Sequence, residues 1–275
     1  MGNASGPVPK YIELDRRFSR VSDNPREDES SYLLVGRNSI NWEELEKCAR
    51  VVLLAGAGAG KTSELEHRAQ VLEKQGKAAF FIRLDELFAT NLVASCKKKG
   101  GALKKWLSDT SPGWFFLDSR DEVTVSDTQF YAALTNAAVG LSGALPRARI
   151  FISSRPASWQ YESDRANFDQ ILSAPESVAE PAVTAGGPVS NDEDDKDVFI
   201  NMTPPIGEFQ KSAVFRMNPM DSGQIIKLAG HFGVMDINEF QLALERHDAH
   251  SLASRPGAVY STHLLSALAE ALSER

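Results

Sequence analysis

Residues 51–63, with the sequence VVLLAGAGAGKTS, constrain the fold of this chain more than any other segment. Four apolar residues predict a buried strand, the alternation of glycine and alanine predicts a tight loop, and Lys61 and Thr62 stand where a helix is expected to begin. The glycines permit left-handed backbone angles and the close approach of a ligand, so that consecutive N–H groups can face an anion. The segment therefore predicts a phosphate-binding loop at the N-terminus of a helix.

The side chains that follow the loop extend this prediction to a nucleoside triphosphate. Lys61 can reach the β- and γ-phosphates, and the Thr62 hydroxyl can bind Mg²⁺. The common pattern G-x-x-x-x-G-K-S/T begins here with Ala55, a permitted variant. A turn that merely joins a strand to a helix is the alternative, but strand, loop, Lys-Thr and helix follow in the order that nucleotide binding needs. The predicted phosphate-binding residues are Gly56, Ala57, Gly58, Ala59, Gly60, Lys61, Thr62 and Ser63.

A second signal is the apolar segment 114–118, which ends in Asp118. Ligands of open α/β sheets gather at the carboxyl ends of the strands, so we expect Asp118 beside a Mg²⁺ ion that Thr62 also binds. Asp121 and Glu122 follow, and one of them, with Glu122 favoured, could orient or deprotonate a water that attacks the γ-phosphate. The alternative is a strand that simply ends in a polar loop.

A third segment, residues 148–153, predicts another short strand, and Ser154, Arg155 and Pro156 follow it. This places Arg155 at the same edge of the sheet as the phosphate loop. A cation there can sense the γ-phosphate and stabilise the charge that develops on it. Taken alone, Ser-Arg-Pro is equally typical of an ordinary turn.

Alternating strands and helices predict an α/β fold: a P-loop NTPase three-layer sandwich with a central, mostly parallel sheet and a small C-terminal helical lid domain. Residues 1–31 are expected to be a flexible N-terminal segment and residues 32–172 the nucleotide-binding core. Residues 173–210 are acidic and poor in apolar side chains, which predicts a flexible insertion. Residues 211–275 hold the last core strand, at 213–217, and short helices that should pack onto the sheet as a lid. Helix N-caps are predicted at Asn41, Ser126, Asp221 and Asp236.

The bulk composition limits the partners and the compartment. A net charge of −7 and a pI near 5.4 do not indicate nucleic-acid binding, and the basic residues at 97–105 are better explained as a solvated helix face. Cys48 and Cys96 have no metal-binding or disulfide spacing and are expected to be reduced. No apolar run approaches the roughly 18 residues of a membrane span, so we expect no membrane contact and a cytoplasmic location.

Residues 56–62 (GAGAGKT), 116–122 (FLDSRDE) and 150–156 (IFISSRP) occur together in this order. The set resembles the NACHT family of signal-transducing NTPases within the STAND group, whose phosphate loop, double-acidic strand and Ser-Arg-Pro strand follow one another in the same way. Residues 215–221 are similar to the family's transition from strand to lid, and Pro256 stands like its lid proline. The resemblance spans roughly residues 33–270 and is strongest in the core.

The resemblance implies roles for individual residues. It places Lys61 and Thr62 on phosphate and Mg²⁺, Asp118 on Mg²⁺, Asp121 or Glu122 on the attacking water, Arg155 on the γ-phosphate, and Pro256 near the base. Ser119 stands where the family often has glycine, and the insertion at 173–210 is unusual. The family's winged-helix, effector and sensor parts are not found in this sequence, so we expect them on a longer chain or on partner proteins.

The expected function is an ATP-binding and slowly hydrolysing signalling switch with ATP or ADP and Mg²⁺ as cofactors. Its nucleotide state would control homo-oligomerisation and the activation of an effector, and by fold-level analogy it could serve in defence against phage. Slow hydrolysis is expected because the sequence does not identify an arginine supplied in trans, which can contribute factors of about 10³–10⁵. The alternatives are a P-loop kinase, a motor-type remodelling ATPase, or a nucleotide-binding scaffold without turnover.

Overall fold

A seven-stranded mixed sheet organises the computed structural model, which describes residues 11–21, 39–118, 126–173, 212–232, 234, 236–246 and 248–257. The strand order is β2-β1-β7-β3-β6-β5-β4. The strands from β7 to β4 are mutually parallel, while β1 is antiparallel to both of its neighbours. The prediction of a mostly parallel sheet in an α/β fold is therefore confirmed. The strands are β1 (Phe18–Arg20), β2 (Ser39–Ile40), β3 (Arg50–Leu54), β4 (Ala78–Arg83), β5 (Gly113–Asp118), β6 (Ala148–Ser154) and β7 (Ala213–Met217).

Helices connect these strands over the length of the described chain. The α-helices are α1 (Trp42–Leu45), α2 (Lys61–Lys74), α3 (Leu84–Ala89), α4 (Leu92–Ser95), α5 (Gly100–Leu107), α6 (Asp127–Leu141), α7 (Tyr161–Ile171), α8 (Ser222–His231), α9 (Ile237–Arg246) and α10 (His250–Ala253). Short 3₁₀ helices cover Lys97–Lys99, Ser142–Arg147 and Pro156–Ser158. None of the described helices is long and apolar enough to cross a membrane.

Both faces of the sheet are covered, and the side chains of β3 show why. Successive residues of a strand point to opposite faces. Val51 and Leu53 pack with α1 and α2 on one face, whereas Val52 and Leu54 pack with α3 to α7 on the other. A continuous apolar strand such as β3 is the sequence signature of a parallel sheet that helices cover on both sides.

Side-chain caps fix where several of these helices begin. Asn41, Ser126 and Asp221 each form a capping box, in which the cap side chain accepts a hydrogen bond from a backbone N–H three residues later and that residue's side chain bonds back. Asp236 Oδ1 accepts a hydrogen bond from the N–H of Glu239 at 2.9 Å. The four predicted caps are thus confirmed.

The C-terminal helices differ from the expectation that they would pack onto the sheet. Residues of α8, α9 and α10 form a separate apolar cluster, completed by Met220 and by Leu14 from the N-terminal segment. The apolar faces of these helices pack against one another, because α8 and α9 each carry a single apolar stripe. The further helix predicted at 258–272, the segment 1–10 and the insertion over 174–210 lie outside the described residues.

Candidate functional site

The carboxyl edge of the parallel strands carries the candidate site. Strand β6 pairs with β3 on one side and with β5 on the other, so the loop after β3 and Asp118 at the end of β5 belong to strands separated by one strand. Adjacent strands lie about 4.8 Å apart, which leaves a gap of roughly 10 Å for side chains to bridge. The residues that bridge it come from α2 and from β6.

The loop between β3 and α2 has the backbone shape that its glycines predict. Gly58 and Gly60 have φ angles of 69° and 90°, in the left-handed region that side chains with a Cβ disfavour. The N–H of Ala55 donates to Ser154 O at 3.1 Å, which ties the start of the loop to the end of β6. Residues 56–58 are exposed, so a ligand can reach this part of the backbone.

Lys61 is the first residue of α2 and is only 8% exposed. Its ammonium donates to the carbonyl oxygens of Ala55 at 2.7 Å and of Gly56 at 3.1 Å, so it lies within the curve of the loop. A buried ammonium needs such acceptors because an unpaired buried charge is costly. Phosphate oxygens would offer the same cation a charged acceptor.

Asp118 is 2% exposed, and two hydroxyls bind its carboxylate. Thr62 Oγ1 donates to Oδ2 at 2.8 Å, and Ser153 Oγ donates to Oδ1 at 2.7 Å. Burial raises the pKa of Asp118 above its ordinary value, while the two hydrogen bonds and the charges of Lys61 and Arg83 act in the opposite direction. The contact between Thr62 and Asp118 brings together residues that the sequence predicts as neighbours.

The chemistry of this pair fits a magnesium ion that obtains most of its ligands elsewhere. Among the residues that the structure describes, no group of three or more His, Cys, Asp or Glu side chains could hold a metal by itself. Mg²⁺ commonly binds one or two carboxylates, substrate phosphates and several waters rather than an all-protein cage. Thr62 and Asp118 would supply the protein ligands of such an ion.

The structure describes only some of the other predicted site residues. Ser63 lies in the first turn of α2 and is exposed, and Arg155 follows β6 directly at the same edge of the sheet. Asp121 and Glu122 lie outside the described residues, so their roles stay predictions. Within the described chain, the edge therefore gathers the phosphate loop, Thr62, Asp118 and Arg155.

Pro256 lies against the loop, together with a glycine that the sequence analysis missed. The N–H of Gly257 donates to Gly58 O at 2.8 Å, and a Cβ built on Gly257 would lie 2.8 Å from Gly58 Cα. Pro256 Cγ lies 3.5 Å from the place that a Cβ on Gly60 would take. The position of Pro256 near a base stays a prediction. No local sequence signal marked Gly257, because its close approach depends on the return of the chain to Gly58.

Arg83 is the second residue that the sequence analysis missed. It ends β4, and in the register of the sheet it is paired with Asp118. The carboxylate of Asp85 binds the guanidinium of Arg83 at 3.2 Å. Burial raises the pKa of Asp118, and the positive charge of Arg83 opposes part of that rise. The signal in the sequence was a cation at the carboxyl end of an otherwise apolar strand, the same pattern that singled out Arg155.

A comparison with protein-family models gives no match to this chain, and a comparison with curated proteins gives none either. The class that the coordinates define is therefore an α/β protein with a mostly parallel mixed sheet and a polar cluster at the carboxyl edge of its central strands.

Proposed function

We propose that this protein is an ATP-binding, slowly hydrolysing switch of the NACHT and STAND type. The observation that carries the proposal is the hydrogen bond of 2.8 Å between Thr62 Oγ1 and Asp118 Oδ2, two residues 56 positions apart. It joins the residue after Lys61 to the only buried acidic residue at the end of a described strand. A glycine loop, a buried lysine and a hydroxyl–carboxylate pair form the set of groups that a magnesium triphosphate requires.

The residues would act on a nucleotide in the following way. Lys61 exchanges its two carbonyl acceptors for β- and γ-phosphate oxygens, and the loop N–H groups bind the same phosphates. Thr62 and Asp118 position the metal, and Mg²⁺, when bound, neutralises charge on the phosphates. Asp121 or Glu122 orients the attacking water, and Arg155 stabilises charge on the γ-phosphate.

The contact between Gly257 and Gly58 supports a switch rather than a simple hydrolase. The segment at 256–257 touches the loop whose backbone would bind the phosphates. ATP and ADP would therefore favour different positions of the C-terminal helices, because a ligand shifts an equilibrium only through different affinities for its two states. The ATP-bound form would homo-oligomerise and activate an effector on the same longer chain or on a partner protein. By fold-level analogy, the biological role would be antiviral defence.

The test is to identify the nucleotide that co-purifies with the protein and to follow phosphate release. We expect tightly held ADP, slow release by the wild type, and loss of both in Lys61→Ala. Lys104→Ala removes an exposed lysine from α5 and is the matched control, so it should change neither. Fast transfer of phosphate to an added acceptor would favour the kinase alternative and contradict the proposal. Rapid turnover stimulated by nucleic acid or unfolded protein would favour the remodelling alternative.

A further inference from the structure

A cavity lies on the side of α2 that faces the N-terminal segment, outside the phosphate loop. It is formed by the N-terminal strap, defined as residues 11–17, by the start of α1 and by the second turn of α2. Its volume is about 240 Å³, enough for a small organic molecule but not for a protein segment of any length. No residue of the loop at 55–62 lines this cavity.

Arg16 is the most deeply buried cation among the residues that line this cavity. The residue is 2% exposed, and its Nη2 donates to Asn218 O at 2.6 Å. Its Nε and Nη1 have no hydrogen-bond partner within the described parts of the chain, and no ion pair joins Arg16 to a carboxylate there. An arginine does not lose its charge in a protein, so a buried guanidinium with two unmatched nitrogens calls for an acceptor, ideally an anion.

Glu64 is the nearest candidate for that anion, but other groups already engage it. Its carboxylate accepts hydrogen bonds from the indole of Trp42, at 3.2 Å, and from the hydroxyl of Tyr11. Burial raises the pKa of Glu64, which weakens its role as a permanent negative charge. Arg16 and Glu64 both line the cavity and attract each other, but no ion pair joins them among the described residues.

The rest of the lining indicates what the ligand carries besides an anionic group. Exposed carboxylates of Glu13 and Glu43 stand at the rim, so a polyanion such as a triphosphate would be repelled. His67 lies under the ring of Tyr11, with ring centroids 3.8 Å apart, and its buried Nε2 has no hydrogen-bond partner among the described residues. The buried cation Arg16 and the carboxylates of Glu13 and Glu43 together match a small molecule that carries one negative and one positive charge.

We propose that the strap cavity binds a small zwitterion of the α-amino acid class, with its carboxylate on Arg16 and its ammonium group toward Glu13 and Glu43. The same strap contacts the C-terminal helices, because Gln224 Nε2 donates to Leu14 O at 2.6 Å and Lys227 pairs with Asp15 at 3.2 Å. A ligand in the cavity would therefore stabilise the strap between α2 and α8. This inference does not depend on nucleotide hydrolysis.

The experiment uses the 275-residue chain and measures binding by isothermal calorimetry and by ligand-detected NMR. The probes are the common L-α-amino acids, each added alone at millimolar concentration, with acetate and methylamine as half-ligands. We expect at least one amino acid to bind with a dissociation constant in the millimolar range or tighter. Acetate and methylamine should bind about 10-fold more weakly, because each forms only one of the two charged contacts.

Two sets of variants locate the binding site. Arg16→Met should weaken amino-acid binding by about 10-fold or more, as expected for the loss of a charge-assisted contact. Glu13→Gln and Glu43→Gln change exposed side chains, so they should fold normally, and each should weaken binding about 3-fold. Lys104→Met, an exposed change on α5, is the matched control and should have no effect.

Three results would overturn the inference. The first is that none of the amino acids binds, and the second is that the variants at Glu13 and Glu43 bind as tightly as the wild type. The third is that ADP displaces the amino acid and Arg16→Met weakens ADP binding equally, because the cavity would then be part of the nucleotide site. Loss of ATP hydrolysis in Lys61→Ala with unchanged amino-acid binding would separate this inference from the proposed function.

Discussion

The fold surrounds two buried cations, Lys61 and Arg16, in different ways. Lys61 is 8% exposed and donates to two carbonyl oxygens of its own loop. Arg16 is 2% exposed and donates to one carbonyl, with two further nitrogens left unmatched among the described residues. The loop therefore supplies hydrogen-bond acceptors to its own cation, whereas the strap cavity leaves part of its cation without acceptors among the described residues. Backbone acceptors that replace the ligand's oxygens make it easier for a site to release its ligand. A site without such acceptors is more stable with its ligand bound.

The largest expected effect concerns the candidate site at the carboxyl edge of the sheet and is tested with Asp118→Asn. The amide keeps the size of the side chain but removes the charge that a metal needs, so phosphate release should fall on the order of 100-fold. Steady-state phosphate release with excess MgATP is the measurement. Asp109→Asn, an exposed aspartate outside the site, should leave the rate unchanged. An unaltered rate in Asp118→Asn would show that the carboxylate has no part in turnover.

The next effect concerns the contact between the C-terminal helices and the loop. Gly257→Ala would place a Cβ 2.8 Å from Gly58 Cα, too close to fit without movement of backbone. Overpacking of this kind costs about 1–3 kcal/mol, measured as a fall in the unfolding free energy in urea. Gly230→Ala in α8 meets no atom within 4 Å and should be neutral or stabilising by about 0.5–1 kcal/mol. Equal behaviour of the two variants would mean that the close approach at Gly58 is not retained in solution.

The two cations can be compared directly by replacing each with methionine in nucleotide-free protein. Lys61→Met removes a cation with two acceptors and should destabilise the fold by about 1–2 kcal/mol. Arg16→Met removes a cation without an ion pair, so it should be neutral or stabilising by up to about 1 kcal/mol. Urea midpoints of both variants provide the test. A larger loss for Arg16→Met would contradict the distinction between the two sites.

The smallest effect is a pH dependence that arises from Asp118. Burial raises its pKa in the folded protein above the unfolded value of 3.8, so the folded state holds this proton to higher pH. The contribution of Asp118 to stability therefore falls as the pH rises from about 4 through the folded pKa. In metal-free protein, the stability of Asp118→Asn relative to the wild type should increase over that range and then level off. A difference that is the same at pH 4 and pH 7 would contradict the raised pKa.

Local sequence signals predicted the elements of the fold better than their arrangement. Periodicity and caps located the strand at Ala213–Met217 and the helix starts at Ser126 and Asp221, because these features depend on neighbouring residues. The insertion of β6 between β3 and β5 depends on pairing between distant strands, which no local pattern specifies. The antiparallel pairing of β1 with β7 was hidden for the same reason.

The candidate site shows the same division between local and distant information. The loop and Asp118 could be predicted because a phosphate site demands particular residue types at fixed spacing. Arg16 could not, because a charged residue in a short segment is usually solvated, and its hydrogen bond to Asn218 O joins residues 202 positions apart. Gly257 is recognisable only once the chain has returned to Gly58.

The position of β7 has a consequence for how the chain matures on the ribosome. β7 lies between β1 and β3, although it is translated some 160 residues after β3. At about 5–20 residues per second, the edge of β3 stays open for on the order of 10 seconds during translation. Nascent chains that stall before residue 213 would therefore expose one unpaired edge of a central strand, the kind of surface that chaperones capture.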